Sequence, residues 1–181
     1  MVETHLFGDF VPPNSRHLIL GSFTGKQAVP GTNNHDSGYD WFYGTQRNQL
    51  WKILTAVYQR ELPDKFSRQK LLTELEIAMA DIIYQCERTQ GSNLDTNLTN
   101  IVYNTERVAK ILAENQIRTI FFTSRFVEKK YVQVFRTLTK KYPAVKLVTL
   151  PSPSPRYARM TLTEKVRRYS ELLPSVEPAV L

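Results

Sequence analysis

Three short apolar runs set the terms on which this chain can fold. "HLILGSF" (17–23), "RTIFFTS" (118–124) and "VKLVTL" (145–150) are too short for helices, rich in aliphatic and aromatic residues, and bounded by small or charged ones. Runs of this kind read as strands buried on both faces. Between them lie stretches with helical spacing. Residues 46–60 carry Leu50, Trp51, Leu54, Val57 and Tyr58 on one stripe, and "FSRQKLLTELEIA" (66–78) reads as a second helix. Asn104 is placed to cap a helix running to about Asn115, and 125–142 reads as one long helix. The last, 161–173, opens with Thr161 and Glu164 at capping-box spacing and stops at Pro174. "ADIIYQC" is a short strand or an extended segment. Strands alternating with helices predict an α/β fold with a parallel sheet and right-handed crossovers. Such sheets bind ligands beyond the carboxyl ends of their strands. Here those ends are "GSFTG", "TSR" and "LPSPSPR".

At 181 residues, with no repeat and no linker-like stretch, residues 1–181 are expected to form one domain, with 174–181 a loose tail. No apolar run approaches membrane-helix length, and the N-terminus lacks the apolar core of a secretory signal, which predicts a cytoplasmic protein. Cys86 is the single cysteine, so no intrachain disulfide and no cysteine metal cluster can form. Lysine plus arginine outnumber aspartate plus glutamate by 24 to 17. That excess suits an anionic partner such as nucleic acid, or marks only a soluble basic protein. Residues 24–44 form a long polar loop, and loops of that length tend to be functional. "QGSNLDTN" (90–97) reads as a second, mobile loop.

Several familiar chemistries fail on spacing. "GSFTGK" (21–26) follows a strand, but three residues separate its glycines and Gln27 follows Lys26, so it is not a nucleotide P-loop. What remains is a tight turn whose glycines let a ligand approach the backbone, or a plain strand-to-loop turn. His5, His17 and His35 have no metal-ligand spacing with one another, and His35, Asp36 and Asp40 read as a solvated loop. No serine sits in a G-x-S-x-G elbow, and Cys86 reads as a packed residue.

Two stretches remain. In "LPSPSPRYAR" (150–159), three prolines in five residues stiffen a loop that has just left a strand, with Ser152 and Ser154 between them and Arg156 and Arg159 after. A rigid, hydroxyl-bearing, basic loop suits a phosphate backbone; the alternative is a proline-rich turn with incidental arginines. Arg156, Arg159, Lys165, Arg167 and Arg168 form the basic group best placed for nucleic acid, whereas Lys129, Lys130, Arg136, Lys140 and Lys141 read as a solvated helix face. In "FYGTQRNQLWKIL" (42–54), Tyr43 offers a face for a base, and Asn48, expected in the first helical turn, can donate and accept at once. The competing reading makes Phe42 and Tyr43 core and Asn48 a cap.

Taken in order, these segments resemble the uracil-DNA glycosylase superfamily, nearest its mismatch-specific and hypoxanthine-directed branches. "LILGSFTG" resembles the first motif, "FYGTQRNQLWKIL" the Asn- and Trp-bearing segment after it, "ADIIYQCERTQGSNLD" the following Asp-Cys-Arg stretch, and "LPSPSPRYARMTLTEKVRRYSELL" the second motif with its trailing helix. The resemblance implies a three-layer α/β/α fold with a central, mainly parallel sheet. It implies a monomeric, monofunctional glycosylase without metal or other cofactor and without membrane association. Its partner would be double-stranded DNA, from which a deaminated base, hypoxanthine or uracil, is flipped and hydrolysed off. By position, Tyr43 would stack on that base, while Gly21, Ser22, Phe23, Thr24, Gly25 and Gly44 would line its pocket. Ser152, Pro153, Ser154, Pro155, Arg156 and Arg159 would hold the DNA, and Asn48 would be catalytic. Phe23, Thr24, Thr45 and Gln46 depart from the commoner motif residues. These departures keep open a binding protein that lost its chemistry; a third reading is an N-glycosidase of free nucleosides or nucleotides, with the basic loop gripping a phosphate. Asp81 either orients the pocket or caps a turn.

Overall fold

The computed structural model describes residues 2–24, 41–89 and 97–176. Gly25, the group His35, Asp36 and Asp40, most of the 90–97 loop and the last five residues therefore lie outside the described residues. In chain order the elements are β1 (Val2–Thr4), β2 (His17–Gly21), α1 (Leu50–Tyr58), α2 (Lys65–Glu74), β3 (Ile77–Asp81), β4 (Ile83–Arg88), β5 (Leu98–Tyr103), α3 (Thr105–Glu114), β6 (Thr119–Phe122), α4 (Arg125–Val134), α5 (Arg136–Lys141), β7 (Lys146–Thr149) and α6 (Leu162–Leu172).

Four strands form a sheet of order β3-β2-β6-β7 in which every pair is parallel. Side chains alternate across it, as the pleat requires. Leu18, Leu20, Ala78, Ala80, Ile120 and Phe122 face one apolar layer with Val108, Ile111 and Leu112 of α3 and Val127 and Tyr131 of α4. Ile19, Ile77, Met79 and Phe121 face the other, with residues of α1, α2 and Tyr169 of α6. Helices on both faces explain why these strands are apolar throughout rather than alternating, and give the expected three layers. Phe10 covers the β3 edge by exchanging two backbone hydrogen bonds with Met79, of 2.8 and 2.9 Å.

The strands and α3 and α6 fall where the sequence predicts, and the Thr161–Glu164 capping box forms in both directions. Other boundaries move. The helix expected over 46–60 begins at Leu50. The one expected over 66–78 stops at Glu74, because Glu76 turns with φ 55° and Ile77 starts a strand. The stretch 125–142 breaks at Phe135, whose buried ring stacks on Tyr131 with centroids 5.2 Å apart. "ADIIYQC" supplies the end of β3 and most of β4. A second sheet, order β1-β4-β5 and antiparallel, has no counterpart in the sequence reading. It brings the N-terminal strand alongside β4, just past the carboxyl end of β3.

Candidate functional site

All four parallel strands end at one cleft of about 1220 Å³. Its walls include Ser22 and Phe23 after β2, Asp81 ending β3, Thr123 and Ser124 after β6, and the Thr149–Pro153 stretch ending β7. The order of the sheet places β3 and β6 on opposite sides of β2, so the crevice opens at the point where the winding reverses.

Gly21 does not itself line the cleft as expected; it is buried at the end of β2, beneath Tyr43 and Asp81, which do. A Cβ there would stand 2.0 Å from Tyr43 Oη and 2.2 Å from Asp81 Oδ1, so only glycine lets both oxygens close over the strand end. Tyr43 gets there through the backbone. Its φ is 54°, a left-handed conformation that costs a non-glycine residue about 1–2 kcal/mol. The residues before it are anchored: Trp51 Nε1 donates to Phe42 O at 2.7 Å, and the Trp41 and Trp51 rings stack 5.6 Å apart. Phe42 is thus core, whereas Tyr43 faces the cleft, its hydroxyl donating to Thr123 Oγ1 at 3.2 Å. Gly44 does not line the cleft; its N–H closes the turn on Trp41 O at 3.1 Å.

Asn48 corrects one expectation. It lies before the helix rather than in its first turn, and its Oδ1 accepts the Leu50 N–H at 2.9 Å. That bond ties down the amide oxygen, and Asn48 lines the cleft beside Arg47 and Lys52. The N-cap is Gln49, so Asn48 is not the cap, though its side chain accepts the first helical N–H from the cleft wall.

Asp81 is 3% exposed. Its Oδ2 is 2.8 Å from His5 Nε2, and its Oδ1 is buried without a hydrogen-bond partner. An orphaned carboxylate oxygen is costly, and this one belongs to a residue that lines the cleft. Asn104 Nδ2 donates to the Asp81 carbonyl at 3.0 Å, so the Asn104 side chain, expected as a helix cap, holds the strand end instead. His5 packs against Phe42 and Phe23 at 5.4 and 5.9 Å between centroids. Arg88 lies 5.7 Å over the far side of the same wall, at the Phe23 ring, and donates to Thr24 O at 3.1 Å. Ser22, Phe23 and Thr24 therefore all line the cleft as expected. Sequence reasoning missed His5 because 76 residues separate it from Asp81.

The serine–proline loop forms the opposite wall. Ser152 Oγ accepts the Ser154 N–H and Ser154 Oγ accepts the Arg156 N–H, both at 3.3 Å, so the hydroxyls brace the loop's own backbone. Pro151 and Pro153 are buried, and Pro155 and Arg156 are exposed at the mouth. Arg159 is exposed but does not line the cleft. Arg47, Lys52, Arg125, Arg156 and Arg168 line it against the single carboxylate of Asp81, and among the described residues only Arg168 of these is in an ion pair, with Glu171. Lys165, expected among the exposed basic residues, is 1% exposed and lies beneath the loop. The signal that places it there is its spacing of four from buried Tyr169 on one face of α6. Among the described residues, no group of three or more His, Cys, Asp or Glu is placed to hold a metal, and no helix is long and apolar enough to cross a membrane.

No protein-family model matches the chain, and no curated protein matches it. Among solved structures, the chain is similar to the solution NMR structure of a "putative uracil DNA glycosylase" from Methanosarcina acetivorans. The two share 17% identity with a TM-score of 0.61, over 94% of this chain and 99% of the other. The chain thus has the uracil-DNA glycosylase-like fold over nearly its whole length.

Proposed function

We propose that this chain is a metal-independent monofunctional DNA glycosylase that removes a deaminated base, hypoxanthine or uracil, from DNA. The observation that carries the reading is the convergence in one cation-lined cleft of the Tyr43 ring, the Asn48 amide and the braced serine–proline loop. The cleft's volume exceeds the roughly 300–1,000 Å³ of small-ligand pockets, which favours a strand of nucleic acid over a free nucleoside.

In this reading the loop and Arg156 hold the strand while the base turns out of the duplex, at a cost of a few kcal/mol. Stacking on Tyr43, of about 1–3 kcal/mol, offsets part of that cost. Bond breaking sends the glycosidic electron pair onto the base and leaves positive charge on the sugar, which water attacks at C1′, its proton passing to solvent or the departing base. Asn48 Nδ2 donates to the base as negative charge develops there. The open acceptor Asp81 Oδ1 supports a deaminated substrate. Deamination of adenine or cytosine converts a ring nitrogen from acceptor to N–H donor, which an open carboxylate oxygen can accept from.

The test is incubation with duplexes holding a single inosine, uracil, or thymine opposite guanine, followed by alkali. Strand scission at inosine or uracil, lost in Asn48→Ala, is the expected result. No scission at either, with salt-sensitive binding retained, would instead establish a DNA-binding protein without the chemistry. Phe23, Thr24, Thr45 and Gln46 at positions of the resembled motifs favour that second reading.

A further inference from the structure

Lys165 stands on the apolar stripe of α6, where a leucine would pack without penalty. Its ammonium is instead buried, donating to Gln49 Oε1 at 2.8 Å and to Ser154 O at 3.0 Å, with Nζ 5.5 Å from the centroid of the Tyr157 ring. Both acceptors are neutral, and among the described residues no carboxylate pairs with it. A buried cation without an anionic partner is a standing cost, so packing alone does not account for it.

Its partners do. Gln49 directly follows Asn48, and its backbone N–H donates to Pro153 O at 2.9 Å. Ser154 is the centre of the braced loop. The Asn48 turn and the loop are therefore joined twice, once through backbone and once through Lys165. One turn along α6, Tyr169 Oη donates to Pro151 O at 2.8 Å, so the same helix face grips the loop at two carbonyls. We infer that Lys165 is a positioning residue that sets the separation of Asn48 from the strand-gripping loop, so that DNA held by the loop presents its flipped base in register with the Asn48 amide. The inference rests on the glycosylase reading of the cleft. An aliphatic side chain would fill the space, but only a long chain with several donors reaches both walls at once.

Such a residue acts on the chemical step rather than on binding, because the cations at the cleft mouth stay in place without it. The experiment compares wild type with Lys165→Met and with Gln49→Met, which removes the same link from its other end should the first variant fold poorly. Single-turnover cleavage of the inosine duplex gives the rate, titration of a duplex with a non-cleavable abasic analogue gives Kd, and amide hydrogen exchange gives the state of the Gln49 N–H. The expected result is a fall of about ten- to a hundredfold in rate, the scale of an ångström-sized misplacement. Kd should change less than about threefold, the Gln49 amide should exchange faster, and the double variant should be no slower than either single one. An unchanged rate per folded molecule, a loss confined to Kd, or additive losses would overturn the inference. Should wild type cleave no duplex, the glycosylase reading fails by itself. The Gln49 amide still decides the rest: unchanged exchange in Lys165→Met means that the lysine does not hold the two walls together.

Discussion

Gly21→Ala tests the strand end beneath the cleft most directly. The backbone of Gly21 is ordinary strand, so the added methyl meets no conformational barrier and gains about 0.4–1 kcal/mol by restricting the unfolded chain. Its cost is spatial. The methyl would stand 2.0 Å from Tyr43 Oη, 3.1 Å from Tyr43 Cζ and 2.2 Å from Asp81 Oδ1. Ordinary contacts need about 3.5 Å, so each oxygen must retreat by more than an ångström. Neither tip is free to do so: Tyr43 is tied to Thr123 and Asp81 to His5. Overpacking of this kind costs about 1–3 kcal/mol, and the lost tyrosine hydrogen bond about 0.5–1.5 more. A net loss of about 0.5–4 kcal/mol lowers Tm by roughly 1–16 °C at this chain length. Activity should fall further than stability, by about a hundredfold, because the stacking ring and the acceptor both shift. Calorimetry and single-turnover cleavage read the two effects separately. Adding Tyr43→Phe removes one of the two colliding oxygens and should restore part of the Tm. A Gly21→Ala protein with wild-type Tm and rate would show that Tyr43 and Asp81 do not close over this strand end in solution.

Three further outcomes follow from the same geometry. Arg156→Ala removes an exposed guanidinium at the cleft mouth and should weaken duplex binding, lowering the slope of log K against log salt by about 0.9 without changing the rate at saturation; titrations at several salt concentrations check it. Tyr169→Phe leaves the Pro151 carbonyl buried without its donor and should cost about 1–3 kcal/mol in urea unfolding, with the loop's amides exchanging faster. Burial holds the Lys165 pKa below its usual 10.5, so between the folded value and 10.5 the unfolded chain carries the extra proton, and the stability contributed by this group rises with pH. Urea unfolding of wild type and Lys165→Met at neutral pH and near pH 9.5 should show wild type gaining on the variant as pH rises, the tyrosines cancelling between them.

What the sequence made legible was whatever a single element decides for itself. β2, β6 and β7 are readable because both their faces are buried, which writes an apolar run into the chain. The capping box of α6 is readable because Thr161 and Glu164 satisfy each other locally. Asn48, Tyr43 and the serine–proline loop stand out because amides, aromatic rings and prolines are conspicuous where a strand ends or a helix begins, and the structure sets them around one cleft. The parts that stayed hidden are settled between elements. Lysine on an amphipathic helix ordinarily lies in solvent, and only the carbonyl of Ser154 and the amide of Gln49 make burial of Lys165 tolerable. The break at Phe135, whose backbone leaves the helical region at φ −97° and ψ 27°, carries no local mark in the sequence. The His5–Asp81 pair depends on β1 joining β4, a pairing between the first residues and the middle of the chain that carries no local mark.

That pairing also bears on the motif departures. Phe23 occupies the place where a water-activating side chain stands in many proteins of the resembled superfamily. Here its ring is part of a wall, between His5 at 5.9 Å and the Arg88 guanidinium at 5.7 Å. A carboxylate substituted there would lose these ring contacts and stand near an arginine already paired with Glu3 at 3.0 Å. The carboxylate that does line the cleft, Asp81, comes from the neighbouring strand and is held by a histidine from the second sheet. Its unpartnered oxygen lies beside Gly21, at the end of β2. With water left largely to solvent, the barrier is lowered chiefly by how well the leaving base is held, and this is why the Asn48 amide and the devices that fix its position carry so much of the proposed chemistry.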